Sequence, residues 1–239
     1  MRIRIIAILL FSMVLNIVSQ AQNSAAPDSA VMKHAQYTVN HHARVFQAAM
    51  GLNDYNAAKD ALLNILVEIP QNDSILFELG SLYFQMQQYA SAVICVAELT
   101  KKYPDHLGAL EIAAISYENL EVTDKAIASY EALYLQTDDF QPLYKLALLQ
   151  YELERYTESF TNLELLIARP EAEEAKVPVL TTANNQKPYP LRLVLLNLQG
   201  LIKKTQGDID KARELFTSVL KEAPDFASAN ENLESLNQK

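Results

Sequence analysis

Glycine, cysteine, histidine and tryptophan are scarce in this 239-residue chain: five, one, four and none. Five scattered glycines form no Gly-x-Gly-x-x-Gly or Gly-x-x-x-x-Gly-Lys run, so no glycine-rich loop is there to cradle a phosphate. Gly-x-Ser-x-Gly and His-Glu-x-x-His are missing too, and with them the marks of a hydrolase elbow and of a zinc-binding helix. A single cysteine excludes an internal disulfide. Cys95 lies in the apolar run Val93–Val96 and is expected to be an inert core thiol. Of the histidines, His34, His41 and His42 form the one cluster. On a helix His34 and His41 stand about two turns apart and His41 and His42 diverge by ~100°, so they share no ion. Positive charge is short as well, with 20 Lys and Arg against 29 Asp and Glu and a net charge of −9. That balance argues against a nucleic-acid surface and against an anionic membrane face. The chain is therefore expected to use no cofactor, metal or small-molecule substrate, and to touch a membrane only through a partner.

The chain is rich in apolar periodicity. In Asp73–Asp105, Leu76, Leu79, Leu82 and Tyr83 make one helical stripe and Ala92, Val93, Val96 and Leu99 another. Gln87-Gln88 leaves room only for a tight turn between antiparallel helices. The pattern repeats at a step of 34: Tyr55 and Tyr89; Ala58, Ala92 and Ala126; Pro70 and Pro104; Tyr83 and Tyr117. Two helices per period of about 34 is a tetratricopeptide signature. The stretch resembles that family through Leu79-Gly80 and Tyr83 on the first helix and Tyr89, Ala92 and Pro104 on the second. Gly80 and Ala92 stand where the two helices would cross closely. The resemblance implies an all-α, right-handed α-solenoid of antiparallel helix pairs, with about five units plus capping helices.

Read in order, Arg2 and Arg4 precede a run of about 14 apolar residues and then Ser19-Gln20-Ala21, the pattern of a secretory signal peptide over residues 1–21. The run is shorter than the ~18 residues of a membrane span, and no cysteine follows it to carry a lipid. Its removal would take the net charge from −9 to −11. A linker over 22–28 leads to the solenoid, 29–239. Its repeats are expected at about 39–72, 73–106, 107–139, 140–170 and 191–225, with a cap helix at 226–237. An insert at 171–190, flanked by Pro170 and holding Pro178, Pro188 and Pro190, cannot extend either neighbouring helix and is expected to be dispensable for folding. Asp28-Ser29-Ala30 and Asp73-Ser74-Ile75 resemble a short motif that carries O-linked sugars in some exported bacterial proteins, and Asn72-Asp73-Ser74 fits an N-glycosylation acceptor. The same residues also read as helix N-caps.

The family resemblance also implies a binding surface. Its first helices line a concave side through the second, fifth, ninth, twelfth and thirteenth positions of each repeat. Here those positions hold Phe77, Ser81, Phe84 and Gln85; Glu111, Ile115, Glu118 and Asn119; Gln141, Tyr144, Leu148, Tyr151 and Glu152; and Asn197, Leu201, Lys204 and Thr205. Lysine is absent from these positions in repeats two to four, which disfavours the carboxylate clamp of some family members. The candidate groove is Phe77, Phe84, Ile115, Tyr144, Leu148, Tyr151 and Leu201, aromatic and aliphatic with an acidic flank. It suits an apolar or amphipathic protein segment bearing some positive charge. The expected function is an exported, periplasmic or extracellular, non-catalytic scaffold that helps assemble a cell-envelope complex. A self-associating structural protein is the alternative. The export expectation is checked by mass spectrometry of the native protein: the N-terminus should lie near Gln22, and an intact Met1 in the membrane fraction overturns it.

Overall fold

The computed structural model describes residues 29–237, without the side chains of Ser29 and Ala30. The expected signal peptide and linker lie outside the described residues. The chain divides between Ile75 and Leu76 into two compact units. Among the described residues there are twelve helices and one two-stranded ribbon. The first unit holds α1 (Ser29–Gly51), α2 (Tyr55–Glu68) and the start of α3 (Asp73–Gln85). The second continues with α4 (Tyr89–Lys102), α5 (Leu107–Asn119), α6 (Thr123–Thr137), α7 (Phe140–Glu152) and α8 (Tyr156–Ile167). It ends with α9 (Pro170–Glu174), β1 (Lys176–Leu180), β2 (Gln186–Pro190), α10 (Leu191–Thr205), α11 (Ile209–Glu222) and α12 (Ala227–Ser235). None of the described helices is long and apolar enough to cross a membrane.

One turn recurs between the helices of a pair. Asn53, Gln87, Glu121, Glu154 and Gly207 all have φ between 56° and 80°. The residue after each donates its backbone N–H five residues back: Asp54 to Ala49, Gln88 to Tyr83, Val122 to Tyr117, Arg155 to Gln150 and Asp208 to Lys203, at 2.8–2.9 Å. This is the Schellman closure, which satisfies the last carbonyls of the first helix. The donor residue is at the same time the N-cap of the second helix. Asp54 and Asp208 cap with their side chains as well, accepting from Ala57 N and Lys211 N. Only three residues join the helices of a pair, and the closure folds the second helix back antiparallel on the first.

Close crossing holds the pair together. Ala58, Ala92, Ala126, Ser159 and Ala212 occupy equivalent places on the second helices and are fully buried. A Cβ built on Gly80 would lie 2.8 Å from Cγ1 of Val96, so α3 and α4 meet backbone to side chain. Ser159, the polar member of the series, donates its hydroxyl to the Ala147 carbonyl at 2.8 Å, which removes the penalty of burying it. In the second unit α4 and α5 share one apolar cluster, and α5 to α8 with α10 share a larger one around Leu143, Leu163, Leu166 and Leu195.

Residues 171–190, expected from the sequence to be a dispensable insert, are ordered and packed against the helices. Ala172 of α9 is fully buried in the larger cluster. The two strands pair antiparallel, with Val177 opposite Tyr189 and Pro178 opposite Pro188. Bonded and unbonded pairs alternate in such a ribbon. Thr181 N bonds Asn185 O and Leu191 N bonds Ala175 O, which puts the odd-numbered pairs in the bonded register. Pro178, Pro188 and Pro190 all fall in the other register, where their missing N–H costs no ladder bond. Val177 and Val179 face inward with Tyr189, which packs with Leu193, Val219, Ala223, Phe226 and Ala229. Tyr189 donates its hydroxyl to Asp225, and this bond holds the Asp225 carboxyl below its usual range. Thr181 pairs with Phe226, and Thr182 N bonds Asp225 O. The ribbon is thus sewn to the segment that leads into α12.

Two outcomes follow for thermal melts. Tyr189→Ala should lower stability by about 3 kcal/mol, the range for truncating a buried aromatic. Replacing residues 176–189 with a Gly/Ser linker should do at least as much, and an unchanged melting temperature would show that the ribbon carries no stability. At the turns, a non-glycine residue in the left-handed region costs roughly 1 kcal/mol. Glu154→Gly should therefore stabilise by up to about that amount and Gly207→Ala should destabilise by a similar one.

Candidate functional site

The second unit contains a cavity of about 980 Å³ bounded by α5, α6, α7, α9 and the start of α10. Ile115, Leu133, Phe140, Pro142 and Leu191 give it an apolar floor, and Glu111, Glu118, Asp139, Glu171 and Lys145 are its charged lining residues. The position of α5 depends on its own cap: His106 Nδ1 accepts from Ala109 N at 3.2 Å, while the His106 ring packs on Phe77 with centroids 4.6 Å apart.

Glu118 is the best-anchored group in the cavity. One carboxylate oxygen accepts the hydroxyl of Tyr130, and the other takes the Lys145 ammonium at 2.5 Å. Tyr130 is only 4% exposed, and burial, with the Glu118 bond second, pushes its phenol well above the usual range. It is therefore a fixed donor that holds the carboxylate in place. Lys145 is held differently: 41% of its side chain is open to solvent.

Of the seven groove residues expected from the sequence, Ile115 lines the cavity. The others are half-buried. Phe77 lies against His106 and close to Gly108, Phe84 against Tyr89 and Tyr151 against Tyr156, while Tyr144 stacks on Phe140. Phe84 and Tyr151 thus each brace the turn into the following helix. Leu148 and Leu201 lie outside the cavity lining. Near Leu201, α12 engages α10: Asn232 donates to Asn197, Asn197 to Ser228, and Lys204 to Ser235. The cavity also draws on residues that the repeat positions do not indicate, among them Tyr130 and Leu133 on a second helix, Lys145, and Glu171 and Ala175 at α9.

Outside the cavity, Cys95 is buried, and burial pushes its thiol up to about 11. His41 packs with Tyr37 and His42 on α1, and no group of three His, Cys, Asp or Glu among the described residues is close enough to hold a metal ion. At the start of α3 the capping side chain is Asn72, which accepts from Ile75 N at 3.0 Å, and Ser74 is exposed.

Family profiles described as tetratricopeptide repeat match residues 77–142 and 198–225, so these segments carry such repeats. A tetratricopeptide repeat protein from Parabacteroides merdae ATCC 43184 is similar at 19% identity and a TM-score of 0.53, over 84% of this chain and 72% of its own. A MamA protein is similar at 14% identity and a TM-score of 0.54, over 84% and 97%. The 41-end form of MamA from Desulfovibrio magneticus RS-1 is similar at 15% and 0.53, over 84% and 98%. At such identities the likeness is one of fold: an all-α solenoid of consecutive antiparallel helix pairs, the class that the sequence pattern implies. No curated protein matches the chain. The α9 wall of the cavity falls between the two matched segments.

Proposed function

We propose that the chain is a non-catalytic interaction scaffold that holds a segment of another protein against α5, α6 and α7. The observation that carries this is the cavity itself, whose 980 Å³ lies at the upper end of the ~300–1,000 Å³ of ligand-sized sites. Its apolar floor and carboxylate rim suit an apolar or amphipathic segment with some positive charge. The half-buried Phe77, Phe84, Tyr144, Leu148, Tyr151 and Leu201 would extend that surface beyond the cavity, which Ile115 lines. Export through residues 1–21 would put the scaffold in the periplasm or outside the cell, where it would serve a cell-envelope complex.

Self-association is the second possibility, and Ile94 and Leu135, 77% and 75% exposed, favour it. Against it, the exposed positions of α12 include Ser228, Glu231 and Glu234, a polar face poorly suited to stacking another copy. Light scattering of the purified chain separates the two, a monomer at all concentrations supporting the scaffold.

Ile115→Arg tests the binding surface directly. Crosslinked pull-downs from the native cell should lose the partner seen with the unmodified chain, by about 1–3 kcal/mol in affinity. Ile115 also packs on the larger apolar cluster, so circular dichroism and a thermal melt of the variant are read first, and Ile115→Ala serves in its place if the arginine disturbs the fold. Undiminished capture of the same partner would remove α5–α7 as its binding surface.

A further inference from the structure

We propose that Lys145 is a built-in occupant of a site for a basic side chain, and that a partner's arginine or lysine, flanked by apolar residues, takes its place on Glu118. This rests on the scaffold function proposed above and names the chemistry of its partner.

The two groups on Glu118 are unequal. Tyr130 is 4% exposed and bonded through a short, rigid side chain. Lys145 reaches Glu118 from the next first helix, 27 residues on, through four methylenes and with 41% of its side chain in solvent. An ion pair with one partner this open to solvent adds little stability. Swinging the ammonium into water is therefore cheap, whereas moving the Tyr130 hydroxyl would leave a buried donor unpaired.

Charge decides what replaces it. Glu111, Glu118, Asp139 and Glu171 line one cavity, and Lys145 is the cation among the lining residues. Glu111 stands two helical turns before Glu118 on α5 and lines the same cavity. An acidic or neutral segment would leave this excess negative charge uncompensated. A basic side chain would compensate it and meet a carboxylate already oriented by Tyr130. Ile115, Leu133, Phe140 and Leu191 offer apolar contact to the residues on either side of that charge. Glu171 comes from α9, so the site needs the inserted segment as well as the repeats.

The test uses the purified chain and fluorescein-labelled, end-blocked heptapeptides of alternating leucine and arginine, or leucine and glutamate, followed by anisotropy at fixed ionic strength. The arginine peptide should bind and the glutamate peptide should not. Glu118→Gln and Glu111→Gln should each weaken binding roughly threefold or more, and Lys145→Met should strengthen it by a similar factor. Glu98→Gln, an exposed charge on α4, should leave it unmoved. Glu111→Gln carries the test if Glu118→Gln disturbs the fold, because Glu111 is exposed. Weaker or unchanged binding with Lys145→Met overturns the proposal, as does a Glu98→Gln effect equal to that of Glu111→Gln. If Ile115→Arg abolishes capture of the native partner while the peptide series stays flat, binding at α5–α7 stands and the basic-side-chain site falls. If capture ignores Ile115→Arg, the scaffold function falls on its own evidence.

Discussion

The structure depends on a turn of no spare length. In each of the five turns one residue sits in the left-handed region, and the next both closes the first helix and opens the second. The turn brings the two helices of a pair together, and the fully buried Ala92, Ala126 and Ala212 are residues small enough to fit where they cross. Four of the five turns use Asn, Gln or Glu where glycine would relieve the backbone. The geometry is thus maintained by the backbone bonds and the packing of both helices, not by glycine alone.

A side-chain series breaks at the cavity. At equivalent places on α3, α5 and α7 stand Phe84, Glu118 and Tyr151. The two rings lie against Tyr89 and Tyr156 across their turns. On α5 the ring is replaced by Glu118, and Thr123 stands where the partner ring would be. A carboxylate cannot fill that apolar contact, so it turns to Tyr130 and Lys145. The sequence displays this substitution plainly once the repeats are aligned.

That explains what was legible. A step of 34 between buried alanines reports a helix pair, because helix packing repeats with the chain. Glu111, Ile115, Glu118, Asn119 and Gln141 could be named for the cavity because they lie at repeat positions of first helices. Tyr130, Lys145 and Glu171 could not: their proximity depends on how a second helix, the next repeat and an out-of-phase segment converge. The ribbon was obscured by its own prolines, which read as a break in helical pattern. The competing signal was Val177, Val179 and Thr181 at period two, too short to stand against them. Only the pairing register shows that every proline occupies a place with no bond to lose.

The ribbon also changes how the C-terminal end can come apart. In a simple repeat array each pair touches only its neighbours, and terminal units fray independently. Here Ala172 is locked among α5–α10, while Tyr189, Thr181 and Thr182 grip residues 225 and 226 beyond the last pair. The span from α9 to the start of α12 is closed into a loop by contacts at both ends. Opening α12 therefore means opening the ribbon with it. The amides of α10 to α12 should exchange with solvent as one cooperative block, as slowly as the middle of the unit.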